Sequence, residues 1–184
     1  VPDSGVPAAL GYAQQSKKNF ELGLIRNHYV GRTFIEPTQN IRSLGVKLKL
    51  SSTSTIVKNK SVILIDDSLV RGTTCHKIVK MLYASGAKEV HVRIACPEIK
   101  YPDFYGVDMP TKTELLAFKK NNSEMCDYIN AKSLEFLSLN GLYKALINRK
   151  RDNNHPQFSD HYFTGDYPVK PYDNLKGLKI KQLS

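Results

Sequence analysis

The sequence predicts an α/β fold, a parallel sheet flanked by helices, on three observations. The stretch from Ser61 to Cys75 opens with an unbroken apolar run, Val62, Ile63, Leu64 and Ile65, rich in β-branched side chains. Such a run suits a strand buried on both faces of a parallel sheet. From Thr73 the apolar residues recur three and four apart, at Ile78, Val79, Leu82 and Tyr83, until Gly86 ends the pattern as a helix stop. A second strand-like run, Glu89 to Ala95, follows, and strands alternating with helices argue for parallel pairing.

The remaining elements follow in chain order. An alanine-rich stretch predicts a helix from about Pro7 to Lys18, and Leu22 to Ile25 predicts a strand. Arg26 to Thr38 is too polar and too β-branched for a helix, and it strings Arg26, His28, Tyr29 and Arg32 around Gly31. It reads as a mobile loop carrying cations, the plain alternative being a basic surface loop. A short helix to Leu44 and a strand from Val46 to Leu50 lead to the central strand. Beyond Ala95, helical spacing is expected near Thr113 to Lys119, at Glu124 to Asn130 and at Leu139 to Ile147, with Leu134 to Leu137 extended between the last two. From Asn148 the pattern gives way to Arg-Lys-Arg-Asp-Asn-Asn and scattered Pro, Tyr and Gly without sustained periodicity. Residues 1–148 are therefore expected to form the domain, and 149–184 a C-terminal tail or wrapping arm.

At 184 residues the chain is one domain or part of one. A formal charge of +10 raises nucleic acid as a partner. The lysines and arginines are spread along the chain, however, with no RNA-binding signature and no aromatic stacking platform, so no nucleic-acid partner is expected. The sequence holds neither a secretory signal nor an apolar run long enough for a membrane span, and the expected location is the cytoplasm. Cys75, Cys96 and Cys126 are odd in number and widely spaced, which suits reduced thiols and makes no metal-binding pair. Cys75, at a helix start, is either a small packing residue or a stabilised thiolate.

The chemistry gathers at the carboxyl end of the central strand, where ligands collect in parallel α/β sheets. A phosphate fits the turn from Arg71 to Thr74. Gly72 lets the backbone approach an anion, the hydroxyls of Thr73 and Thr74 donate to it, and Arg71 adds positive charge. Asp66 and Asp67 cannot serve that phosphate; they can accept hydrogen bonds from sugar hydroxyls or hold Mg²⁺, directly or through water. A sugar phosphate with a metal satisfies both halves. The bland alternative, that Asp-Asp merely ends a strand and Thr-Thr caps a helix, does not account for all parts occurring in order in one strand, turn and helix. Asp3-Ser4-Gly5, before the alanine-rich helix, is open to two readings: an anion-binding helix start and a plain cap.

The segment SVILIDDSLVRGTTC resembles the phosphoribosyl pyrophosphate (PRPP) signature of type I phosphoribosyltransferases. VPDSGVPAALGYA at Val1 to Ala13, GLIRNHYVGRTFI at Gly23 to Ile35, AKEVHVRIACP at Ala87 to Pro97, FYGVDMPT at Phe104 to Thr111 and FTGDYP at Phe163 to Pro168 look like consecutive blocks of the amidophosphoribosyltransferase family. The resemblance covers nearly the whole chain in order. It implies a type I phosphoribosyltransferase-like sheet, incomplete on its N-terminal side. The activity it implies converts PRPP, glutamine and water to phosphoribosylamine, glutamate and pyrophosphate, the first committed step of purine synthesis.

By the same resemblance, Asp66 and Asp67 engage the ribose and Mg²⁺, and Ser68 with Arg71, Gly72, Thr73 and Thr74 holds the 5′-phosphate. Asp3, Ser4 and Gly5 match the family's pyrophosphate loop, with the Ser4 hydroxyl a further Mg²⁺ ligand. The cation-bearing loop matches one that closes over PRPP. Breaking the bond at C1 puts negative charge on pyrophosphate, so cations belong on the leaving group. The family usually has Lys-Asn-Arg-Tyr where this chain has Arg26-Asn27-His28-Tyr29; Arg26 keeps the charge, whereas an ordinary histidine at His28 is largely neutral near pH 7.

Members of the family carry an N-terminal glutaminase domain whose cysteine nucleophile supplies ammonia. This chain begins Val1-Pro2-Asp3, so it is expected to be a fragment cut from a longer chain. One branch of the family holds an iron–sulfur cluster, with a cysteine before Phe-Tyr-Gly and a Cys-x-x-Cys pair before Phe-Thr-Gly. Those positions are Asp103, Ser159 and Tyr162 here, and no cluster is expected. The implied partners are PRPP and ammonia, within a homo-oligomer. Two other classes stand beside this one: a PRPP sensor without chemistry and a structural remnant that no longer binds PRPP. Another type I phosphoribosyltransferase would need a base-recognising hood, for which the sequence has no segment. A sensor has no need of Arg26, Tyr29 and Arg32 in a closing loop, and these favour catalysis.

Overall fold

A computed structural model describes residues 1–27, 50–106 and 111–169. It has the expected α/β architecture, a three-stranded parallel sheet flanked by helices, with a two-stranded antiparallel ribbon beside it. Helix α1 spans Val6–Ser16, and the ribbon pairs β1, Leu24–Arg26, with β2, Leu50–Ser52. A single helical turn, α2 at Ser54–Val57, leads to the main sheet. There β3, Ser61–Asp66, pairs in parallel with β4, Glu89–Ile94, and β4 with β5, Ser133–Phe136.

Helix α3, Thr73–Ala84, makes the crossover from β3 to β4. Its buried face is Cys75, Ile78, Val79 and Leu82, the spacing of one helical stripe. On β4, buried Val90, Val92 and Ile94 alternate with half-buried Glu89, His91 and Arg93, as a strand's two faces require. Helix α5, Asn122–Tyr128, closes the core with Met125 and, just past its end, Ile129, both fully buried. Its start is a capping box: Asn121 accepts from the Glu124 N–H at 2.9 Å, and Glu124 accepts from the Asn121 N–H at 2.8 Å. Helix α6, Leu139–Ile147, begins at a Ser138 cap and occupies the residues expected for it.

Three expectations need correction. Only Leu64, Ile65 and Asp66 of β3 are buried, whereas Ser61 is exposed and Val62 and Ile63 are half-buried. An apolar cavity of about 400 Å³ between α1, the 18–24 segment and β3 runs along the strand from Ser61 to Ile65, and among the described residues β3 is the edge of its sheet. The helix expected near Thr113 to Lys119 is split into a 3₁₀ turn at Lys112–Glu114 and one α-turn, α4, at Leu116–Lys119. The split follows from tertiary demands, since Leu115 is fully buried and extended while the Leu116 N–H donates to Val70 O at 2.9 Å. Of the strand expected at Val46 to Leu50 only Leu50 lies among the described residues, and the strand there runs on to Ser52; 46–49 and the helix expected before Leu44 lie outside them.

Beyond α6 the chain folds back. Arg151, with its side chain 9% exposed, binds Asp160 through Nε at 2.6 Å and Nη2 at 3.2 Å, and Asp166 through Nη2 at 2.7 Å. Tyr143 Oη and Thr164 Oγ1 also donate to Asp160, at 2.7 Å and 3.1 Å. A last turn, α7 at His161–Thr164, then lies against 100–105, with the Lys100 and Tyr101 N–H groups donating to Tyr162 O. Among the described residues no helix is long and apolar enough to cross a membrane.

Candidate functional site

β3 ends on Asp66, which is buried, and Asp67, which is exposed. The Asp67 N–H donates to Asp66 Oδ1 and Ser68 Oγ donates to Asp67 Oδ1, each at 3.0 Å. Among the described residues no lysine or arginine is ion-paired with either carboxylate. Burial first, and then the charge of Asp67, pushes the Asp66 carboxyl up to about 6, while the Val1 amino group and the Asp67 N–H pull it back in part. Two adjacent carboxylates short of positive charge are a place for a cation.

The turn beyond them delivers the chain to the start of α3 through Gly72, at φ +76°. No side chain caps that start, and the first N–H groups of a helix lack intrahelical acceptors, so Thr73, Thr74 and Cys75 present donors there. Gly72 is needed for a reason beyond anion access. A Cβ there would stand 2.6 Å from Leu116 Cδ2 and 3.0 Å from Tyr128 Cε1, so α4 and α5 press directly on the turn. Arg71 Nε–H donates to Glu114 Oε2 at 2.7 Å. Burial first, then Asp66, pushes the Cys75 thiol up to about 12, and Cys75 is only 2% exposed. It is a packing residue, not a stabilised thiolate.

The N-terminal turn abuts the same strand end. A Cβ on Gly5 would lie 2.8 Å from Val1 O and 3.0 Å from Ile65 O, so only glycine lets this turn approach the residue preceding Asp66. Gly5 is the N-cap of α1 and no side chain caps the helix, which sets aside the plain-cap reading of Asp3-Ser4-Gly5. The Asp3 carboxylate instead accepts from Arg26 Nη1, while Arg26 Nε is buried without a hydrogen-bond partner. Asp3, Ser4, Gly5, Arg26, Asp66 and Asp67 thus share one end of the fold with the Ser68 to Thr74 turn. His28, Tyr29 and Arg32 lie outside the described residues.

The carboxylate pair fits Mg²⁺ better than a metal caged by protein. No group of three or more His, Cys, Asp or Glu is assembled for a metal among the described residues, and Mg²⁺ is characteristically held by one or two carboxylates with substrate oxygens completing the shell. The three positions that carry cysteine in the cluster-bearing branch converge on one histidine. Ser159 Oγ lies 3.0 Å from His161 Nδ1, and His161 Nε2 lies 2.8 Å from Asp103 Oδ1. Tyr162 is also hydrogen-bonded to Asp103. Oxygen and ring groups occupied with one another are poor ligands for iron and sulfide. The sequence reading did not single out His161, Glu114, Leu116 or Tyr128. No local pattern marks them, because each acts on residues distant in the chain.

No family model matches the chain. It is 59% identical over 188 residues to the amidophosphoribosyltransferase of Rhizobium etli, an alignment covering 100% of this chain and 38% of that protein. This chain belongs to the amidophosphoribosyltransferase family. It is 53% identical over 174 residues to amidophosphoribosyltransferase 2, chloroplastic, of Arabidopsis thaliana, covering 95% of this chain and 30% of that one. Among solved structures it is similar to the B. subtilis glutamine PRPP amidotransferase complexed with ADP and GMP. The TM-score is 0.79 and the identity 47%, over 92% of this chain and 37% of that one. The chain therefore spans 30% to 38% of the length of these amidophosphoribosyltransferases. The type I phosphoribosyltransferase fold expected from the signature is the fold of this family.

Proposed function

We propose that this chain is the phosphoribosyl-transfer part of an amidophosphoribosyltransferase, taking PRPP and ammonia to phosphoribosylamine and pyrophosphate. The observation that carries the reading is the juxtaposition of an under-neutralised Asp66–Asp67 pair with an uncapped helix start on one side and the Gly5 turn on the other. The 5′-phosphate is taken by Ser68, Arg71 and the N–H and hydroxyl groups at Gly72 to Thr74, where donors and partial positive charge coincide. Asp66 and Asp67 hold the ribose hydroxyls and, with the Ser4 hydroxyl, would hold Mg²⁺, which would supply positive charge for the pyrophosphate leaving group. Asp3 to Gly5 and Arg26 face that pyrophosphate, with His28, Tyr29 and Arg32 on the loop that closes over it.

The transition state gathers oxocarbenium character on the ribose and negative charge on the leaving group, so fixed carboxylates on one side and cations on the other stabilise both. Ammonia attacks C1 opposite pyrophosphate, supplied from glutamine by a glutaminase part outside these 184 residues. The assembly we propose is a cytoplasmic homo-oligomer.

The test is calorimetric titration of the chain with PRPP and Mg²⁺ beside an ammonia-dependent pyrophosphate-release assay. Saturable, Mg²⁺-dependent binding with release supports the transferase. Binding without release selects a PRPP sensor, and absence of binding overturns the site.

A further inference from the structure

We propose that Glu114 is a positioning residue for the phosphate turn: it holds the Arg71 guanidinium by its Nε edge and leaves the Nη nitrogens for the 5′-phosphate. This rests on the reading of Asp66 to Thr74 as a PRPP site. Arg71 Nε–H donates to Glu114 Oε2 at 2.7 Å, and Thr111 Oγ1 donates to Glu114 Oε1 at 3.4 Å. Among the described residues Arg71 makes no other hydrogen bond, so its two terminal nitrogens keep their donors.

Glu114 is itself fastened to the turn it serves. Two residues on, the Leu116 N–H donates to Val70 O at 2.9 Å, and the Leu116 side chain fills the space over Gly72. On its other side Lys112 Nζ stands 4.6 Å from the centre of the Phe118 ring and 5.5 Å from that of Tyr101. Carboxylate and phosphate turn are therefore carried by one packed unit, although 43 residues separate Arg71 from Glu114.

Magnitudes decide what such a pair is for. The side chains are 42% and 49% exposed, and an exposed ion pair contributes only about 0–1 kcal/mol to stability. An arginine side chain, by contrast, gives up rotamer freedom worth about 2 kcal/mol when it is ordered. A carboxylate that orders it before the ligand arrives lowers the cost of phosphate binding. The same weakness keeps Glu114 from competing with charge-assisted phosphate bonds at the Nη nitrogens.

The experiment titrates the full chain, with Mg²⁺, against ribose 5-phosphate and, separately, inorganic pyrophosphate. It compares wild type with Glu114→Ala, Glu114→Gln, Arg71→Ala and the double variant Arg71→Ala/Glu114→Ala. Glu114→Ala is expected to weaken ribose 5-phosphate about fivefold, leave pyrophosphate unchanged and add nothing to Arg71→Ala. Glu114→Gln, which keeps an acceptor for Nε–H, restores most of the loss. Unchanged or tighter ribose 5-phosphate binding in Glu114→Ala, equal loss for both probes, or a loss that persists on the Arg71→Ala background each overturns the assignment. If wild type binds PRPP and only the Glu114 effect is missing, this inference alone falls. If wild type binds neither PRPP nor ribose 5-phosphate, the PRPP reading falls and takes this one with it.

Discussion

The two acidic clusters of this chain are built in opposite ways. In the C-terminal arm Asp160 is saturated. Burial alone would raise its pKa, but Arg151, Tyr143 and Thr164 donate to it and hold it below the usual carboxylate range. At the end of β3, Asp66 is also buried, and burial first, then the charge of the neighbouring Asp67 carboxylate, pushes it up to about 6. A cluster that serves stability neutralises its charges within the protein; one that serves binding leaves them for a ligand to neutralise. The arm therefore staples the fold, and the strand end leaves negative charge that the protein itself does not neutralise.

The largest expected effect comes from breaking the saturated side. Arg151→Ala leaves Asp160, only 4% exposed, without its bidentate partner, and loss of one member of a buried pair costs about 3–5 kcal/mol. Urea unfolding followed by circular dichroism measures it, and a loss below about 1 kcal/mol would show that the arm does not carry stability. On folded Arg151→Ala protein, PRPP affinity is expected to stay at the wild-type value, because Arg151 is engaged with Asp160 and Asp166 and not with Asp66 or Asp67.

Gly72→Ala comes next and strikes the turn itself. The backbone sits at φ +76° and the added methyl would meet Leu116 Cδ2 at 2.6 Å, so strain and overpacking together cost about 2–3 kcal/mol. Leu116→Ala in the same chain makes room for that methyl, and the two losses should sum to more than the double variant shows in thermal melts. Strict additivity would mean that α4 does not press on the turn at Gly72.

What was legible in the sequence was local. The strand, turn and helix from Ser61 to Ala84 lies within one continuous stretch, so hydrophobic period, paired aspartates and glycine stood next to one another. Leu139–Ile147 was equally plain, since Ser138 and the apolar spacing mark it from within. The misses are all long-range. The Leu116 N–H turned toward Val70 and broke a helix whose own residues favoured continuity. Asp103 and His161, 58 positions apart, form a buried pair with no pattern to announce it. The half-exposed start of β3 could not be foreseen either, because an apolar run reports what a strand prefers to bury, not whether a neighbour covers it.

The smallest effect, and the most direct contrast between the two clusters, is in pH. Asp66 has a folded pKa raised from 3.8 to about 6. Its contribution to stability is therefore fully present below about pH 4 and is lost as pH rises through about 6, because the folded state must then hold an ion it disfavours. Asp160 is the reverse: its folded pKa is lowered, so its contribution is present above the unfolded value of 3.8 and is lost as pH falls through the folded one. Asp66→Asn removes the first dependence and leaves the second in place. The variant and wild type should differ least near pH 4, where Asp66 is protonated in the folded chain and about half ionised in the unfolded one. By pH 7 the variant should be more stable on the order of 1–2 kcal/mol, while PRPP binding is lost. Saturating Mg²⁺ and PRPP should bring wild type back level with the variant at pH 7, since the ligand supplies the charge balance that the fold withholds. A variant less stable than wild type at pH 7, measured by melting across pH 4 to 7, would mean that the Asp66 carboxylate is stabilised within the protein after all and that the two clusters are built alike.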